Sequence, residues 1–130
     1  MLNKMKILIA DDQAEIRSAL ALTAEQAVDA CVTEANDAVE LVRRTQAVQP
    51  DLILLDWELP GLAAMRDDVA SVLSIHRPGV VVVALSSRPD AQTAALSAGV
   101  DAFVCKGDGP EKLLGVLRRS FSKCREGGSE

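Results

Sequence analysis

Hydrophobic and polar positions along the chain fall into two patterns that take turns. Apolar runs occupy residues 7–10, 52–55 and 80–85, with weaker ones at 31–34 and 102–105. In the first three, neighbouring positions are all apolar, whereas a strand with one wet face would alternate. Runs of this kind are predicted as strands covered on both faces. Helical spacing fills the intervals. Ile16, Ala19, Leu20, Thr23 and Ala27 recur on one face of 14–27, and Val39, Leu41 and Val42 on one face of 36–48. Gln49 precedes Pro50, a position that disfavours helix. Met65, Val69, Val72, Leu73 and His76 form a third stripe, stopped by Pro78-Gly79. Pro89 suits the first turn of a fourth helix that ends at Ala98-Gly99, and Pro110 opens a fifth carrying Leu113, Leu114, Val116, Leu117 and Phe121.

Strand and helix therefore alternate five times with short connections. That pattern calls for parallel strands joined by right-handed crossovers, a doubly wound sheet with helices on both faces. In such a sheet ligands gather beyond the C-terminal strand ends, near the point where strand order reverses.

Composition narrows the class. The 130 residues, 48% hydrophobic and 25% charged, suit one globular domain with its own core. A net charge of −5 argues against direct nucleic-acid binding, which needs a basic surface. Three scattered cysteines, at 31, 105 and 124, make no CxxC pair and suggest a reduced, cytoplasmic setting. Cys105 reads as a small core residue and Cys124 as a free thiol near the end. No apolar stretch is long enough to span a membrane. The polar, glycine-containing segment 125–130 reads as a flexible tail or the start of a linker after a domain over 1–124. His76, the single histidine, falls at a helix end and reads as structural.

The strand ends carry the chemistry. Asp11 and Asp12 follow the first strand, Asp56 the third, Ser86 and Ser87 the fourth, and Lys106 the fifth. Two carboxylates about 4 Å apart repel by about 4 kcal/mol at an effective dielectric near 20, so three on one rim call for a shared cation. All-oxygen ligands without nearby His or Cys suit a hard ion, Mg2+ first. The plainer reading is that Asp11 caps the first helix, which explains one aspartate and leaves the second unexplained.

The segments "ILIADD", "DLILLDWELPG", "VVVALSS" and "GVDAFVCKG", in this order and spacing, resemble the receiver domains of two-component response regulators. The resemblance runs from residue 5 to about residue 122. It implies a flavodoxin-like sheet of order 2-1-3-4-5. It also implies that Asp56 accepts a phosphoryl group from a sensor histidine kinase, a histidine phosphotransfer protein or a small phosphodonor. Asp12 would ligate Mg2+, or Mn2+ in its place, directly and Asp11 largely through water. Asp56 and the backbone carbonyl of Glu58 would complete the protein ligands. Lys106, with Ser86 and Ser87, would meet the phosphoryl oxygens. Ser86 and Phe103 match the switch pair that repacks on phosphorylation, although each also reads as an ordinary strand residue. The surface formed by the fourth helix, fifth strand and fifth helix would carry output and homodimerisation. Glu58 and Arg88 stand where the family tunes dephosphorylation, with charges suited to an ion pair over the site.

Departures from the family pattern are local. Lys106 is followed by Gly107 in place of the common proline, so a trans bond is expected there. This loop resembles that of receivers attached to NarL/FixJ-type helix-turn-helix domains. Pro60-Gly61 is followed by Leu62-Ala63-Ala64 instead of Met-Asp-Gly. Trp57 beside the acceptor reads either as a partner contact or as cover for the loop. A dehalogenase-type phosphatase would want an aspartate at position 58, and a flavodoxin a Ser/Thr/Gly-rich loop after the first strand. The open alternatives concern output: the receiver part of a transcriptional regulator, a stand-alone receiver working by protein contact, or a binding module that never takes phosphate. None of these is an enzyme acting on a separate substrate.

Overall fold

The computed structural model describes residues 4–128, with side chains described to residue 122. Five parallel strands, β1 (Met5–Ala10), β2 (Ala30–Ala35), β3 (Leu52–Asp56), β4 (Val81–Ser86) and β5 (Ala102–Cys105), form one sheet in the order β2-β1-β3-β4-β5. The helices are α1 (Ala14–Ala27), α2 (Ala38–Val48), α3 (Val69–His76), α4 (Gln92–Ser97) and α5 (Pro110–Gly128). This is the flavodoxin-like architecture expected.

The unbroken apolar runs follow from two cores sharing one sheet. Alternate residues of each inner strand point to opposite faces. Ile7, Ile9, Leu52, Leu54, Val83 and Leu85 pack with Ala24 of α1 and Leu113, Val116 and Leu117 of α5. Leu8, Ala10, Ile53, Leu55, Val82 and Ala84 pack with Leu41 of α2, Leu73 of α3 and Ala95 of α4. Each fully buried Leu or Ile contributes about 2 kcal/mol, so these strands hold the strand ends, and everything mounted on them, in fixed register. Ile9 lies opposite both Glu34 and Leu54, and Leu55 opposite Ala84.

Three expectations need correction. Val39 is 66% exposed, because α2 buries Ala38, Leu41 and Thr45 instead. The third helix is shorter than its stripe: two 3-10 turns, Leu62–Ala64 and Arg66–Asp68, precede α3. Pro89 likewise opens a 3-10 turn, Pro89–Ala91, and α4 begins after it. Such tight turns let the chain leave a strand end and reach the helix layer in few residues.

Two glycines shape the connections between strands and helices. Gly61 has φ +84°, and a Cβ there would sit 3.2 Å from Cβ of Ala38. Gly99, at φ +93°, ends α4 where a Cβ would come within 2.9 Å of Cβ of Ala70. The helical backbone of α5 takes in residues 125–128 of the segment read as a tail; residues 129–130 and the side chain of Cys124 lie outside the described residues. Among the described residues, no helix is long and apolar enough to cross a membrane.

Candidate functional site

Asp56 is the last residue of β3, and Asp11 follows β1, fixed by its N–H bond to the carbonyl of Ala35 at 3.0 Å. Adjacent parallel strands thus deliver two carboxylates to one rim. Asp11, Asp12 and Asp56 each offer an oxygen, all within 4.8 Å of one another. Asp11 and Asp56 are buried and Asp12 is exposed. Burial pushes the Asp56 carboxyl above its ordinary value of 3.8 and the charge of Asp11 adds to this, against the Glu58 amide and Lys106, which favour the ionised form.

Asp11 serves more than a helix end. Gln13, not Asp11, is the N-cap of α1, and its N–H donates to Oδ1 of Asp11 at 2.9 Å. The other oxygen, Oδ2, accepts from Lys106 Nζ at 2.8 Å. The local turn therefore uses one oxygen of this carboxylate and leaves the other for the site.

Lys106 is placed by its own backbone. Its N–H donates to the carbonyl of Ser86 at 2.8 Å, continuing the β4–β5 pairing by one residue. The ammonium lies 2.8 Å from Asp11 and 3.3 Å from Asp56. Burial works to lower the pKa of Lys106, but its bond to Asp11 and the charges of Asp56 and Asp11 outweigh this and hold it above 10.5. The peptide bond to Gly107 is trans, as expected.

Ser86, fully buried at the end of β4, donates its hydroxyl to the Glu58 carboxylate, 3.0 Å from each oxygen. The same hydroxyl accepts the N–H of Arg88 at 3.0 Å. Arg88 Nη2 reaches Glu58 at 3.3 Å, so the anticipated ion pair is present. Ser87 is exposed next to this group. Phe103 is buried in the core beneath α4, together with Trp57.

Trp57 is 2% exposed, which favours the reading as cover for the loop over that of a partner contact. The Arg66 guanidinium lies 5.8 Å from its ring centroid. Arg17 escaped sequence reasoning: its Nη1 donates to the Asp11 carbonyl at 2.7 Å and its Nε to Glu34 at 2.7 Å. A lone arginine in the first turns of an amphipathic helix carries no signal that would single it out.

The chemistry of this donor set fits a hard divalent cation. Three carboxylates, two of them buried, face a single ammonium, leaving net negative charge that burial makes costly. Oxygen donors and the absence of His or Cys from the cluster suit Mg2+ or a similar ion.

Comparison with known proteins identifies the family. A family model described as response regulator receiver domain matches residues 7–118. The chain is 30% identical over 135 residues to the phosphate regulon transcriptional regulatory protein PhoB of Pseudomonas aeruginosa, an alignment covering 95% of this chain and 55% of that protein. It is 34% identical over 125 residues to the transcriptional regulatory protein PdtaR of Mycobacterium tuberculosis, covering 93% and 58%. The chain thus spans little more than half the length of these relatives. A receiver domain protein of Methanospirillum hungatei superposes with a TM-score of 0.80 at 22% identity, covering 95% of this chain and 98% of that one. A response regulator of Burkholderia pseudomallei, solved with a phosphorylated aspartic acid, a calcium ion and citrate, superposes with a TM-score of 0.72 at 20% identity, covering 96% and 73%. These two likenesses speak for the fold. A family match that runs unbroken from β1 into α5, over a sheet of this strand order, makes the chain a member of the receiver domains of two-component response regulators.

Proposed function

We propose that Asp56 is the phosphoacceptor of this receiver. The observation that carries the reading is the placement of its buried carboxylate: 3.3 Å from the Lys106 ammonium and within 4.8 Å of oxygens from Asp11 and Asp12. In the reaction an Asp56 oxygen attacks phosphorus, and the bond from phosphorus to the donor's imidazole nitrogen, or to the acyl oxygen of a small phosphodonor, breaks. Asp11, Asp12, Asp56 and the Glu58 backbone carbonyl would hold Mg2+, or Mn2+ in its place, and the ion would supply the charge neutralisation that lets a carboxylate accept a dianion. Lys106, a compact charge on a long stem, turns from Asp11 toward the new phosphoryl oxygens. Phosphoryl transfer needs positioning and charge more than covalent help, so this small set suffices.

The donor is a histidine kinase or phosphotransfer protein. A groove of about 230 Å³ between α1 and α5, lined in part by Ile16, Leu20, Lys106 and Pro110, offers such a protein a seat that reaches Lys106. The receiver unit occupies residues 1–124. Ser86 and Phe103 carry the switch, Ser86 and Ser87 contact the phosphoryl group, and Glu58 and Arg88 set its lifetime. The α4, β5 and α5 surface carries output and pairing of two copies. The relatives' names support a role as the receiver part of a transcriptional regulator. With a net charge of −5, the domain itself is read as touching no nucleic acid and no membrane and as working in the cytoplasm.

Acetyl phosphate with Mg2+ should change the fluorescence of Trp57, the sole tryptophan, and Asp56→Asn should abolish the change. A response that survives this substitution would refute Asp56 as acceptor.

A further inference from the structure

The hydroxyl of Ser86 has one proton, and in this structure Glu58 takes it. Oγ lies 3.0 Å from both carboxylate oxygens, while its lone pair accepts the N–H of Arg88 at 3.0 Å. Ser86 is fully buried, and a buried hydroxyl proton does not go without an acceptor. A single donor cannot serve two acceptors in different directions at full strength. Any anion arriving at Asp56 that needs this hydroxyl must therefore take it from Glu58.

We propose that the Glu58 side chain is an internal competitor that holds Ser86 in the resting position and so sets the threshold of the switch. This rests on the receiver reading above and adds to it a specific role for one side chain. The Glu58–Arg88 ion pair is the weaker half of the device. Its side chains are 40% and 59% exposed, where screening leaves little net attraction. The part-buried contact with Ser86, whose own side chain is fully buried, is the half that counts. It also ties the site to its output. When the Ser86 hydroxyl turns away, the Arg88 N–H loses its acceptor at the start of the turn Pro89–Ala91, which leads directly into α4. One exchange of hydrogen-bond partner thus answers to the state of Asp56 and loosens the entry to the helix.

The energetics follow population-shift arithmetic. If the held state is occupied about nine times in ten, the apparent affinity for a phosphoryl mimic is reduced about tenfold, and removal of the competitor restores it. Removing a negative charge also favours an anion by simple electrostatics, so the test must separate the two. The full chain is titrated with beryllofluoride in Mg2+, read by Trp57 fluorescence, for wild type, Glu58→Ala, Ser86→Ala and the double variant. Glu58→Ala should bind about tenfold tighter than wild type, and the same substitution in the Ser86→Ala background should change affinity by less than about twofold. Equal tightening in both backgrounds would overturn the proposal, leaving Glu58 as a nearby charge only. No tightening in either would overturn it as well.

Glu58→Gln provides a check that leaves Ser86 in place. It keeps an acceptor for the hydroxyl and loses the charge, so it should gain clearly less than Glu58→Ala; an equal gain would count against the competitor. A wild-type chain that fails to respond to beryllofluoride would remove the receiver reading and this inference together. A wild type that responds, with no difference in the Glu58 variants, would remove the inference alone.

Discussion

Lys106 Nζ and Asp11 Oδ2 lie 2.8 Å apart across 95 residues of sequence. Their strands, β5 and β1, are separated by β3 and β4. At about 4.8 Å per strand the two ends would stand about 14 Å apart in a flat sheet. The long lysine stem closes that gap above the end of β3, where Asp56 sits. The ammonium thereby supplies part of the positive charge that a metal ion would otherwise bring to these carboxylates.

Removing the ammonium should therefore be costly only while the site holds no metal. Lys106→Met in chelator should lower the free energy of unfolding by about 3 kcal/mol, since it strands two buried carboxylates. Saturating Mg2+ should recover much of that loss. Denaturant titrations with and without Mg2+ check this, and a loss of equal size in both would count against it.

The reverse sign applies to Asp56. Its folded pKa lies above 3.8, so the ionised form is disfavoured by folding and the metal-free protein carries that penalty at neutral pH. The penalty shrinks as pH falls through the folded value and is gone below 3.8. Asp56→Asn should accordingly raise the Tm of the metal-free protein by a few degrees at pH 7, with the gain fading in acid. Lys106, whose folded pKa lies above 10.5, contributes stability that is fully present below 10.5 and lost as pH rises through the folded value. Thermal melts across pH, with chelator, read both.

Arg17 holds the backbone of Asp11 from α1. A charge-assisted bond of this kind is worth roughly 1.5 kcal/mol. Arg17→Ala should lower the Tm by a few degrees and also weaken Mg2+ binding by about fivefold in calorimetry; the loss of Mg2+ affinity distinguishes a positioning residue from a general stabiliser.

Gly61 turns the chain after the acceptor loop at φ +84°. Gly61→Ala should destabilise by about 1–2 kcal/mol, because an L-residue is strained there and its Cβ crowds Ala38. Chemical denaturation measures this directly.

Much of this architecture is legible in the sequence. Runs such as 52–55 and 81–85 betray strands covered on both faces, and Asp11, Asp12, Asp56 and Lys106 fall at the strand ends that alternation predicts. What escaped was decided by tertiary packing. Val39 fits an apolar stripe by spacing, yet it is Ala38, Leu41 and Thr45 that turn inward. Met65 belongs to the stripe of α3 by period, but the exit from β3 needs two tight turns before a helix can start. The Ser86–Glu58 contact joins residues 28 apart through a loop conformation that no local pattern encodes. Arg17 likewise acquires its role only when β1 and β2 come together beneath it.

Intact-mass spectrometry of the protein after incubation with acetyl phosphate, with and without Mg2+, tests the acceptor chemistry most directly, with Asp56→Asn alongside. The expected result is one added phosphoryl group that requires both Mg2+ and Asp56. No adduct under conditions where the protein binds Mg2+, or an adduct that persists in Asp56→Asn, would contradict it.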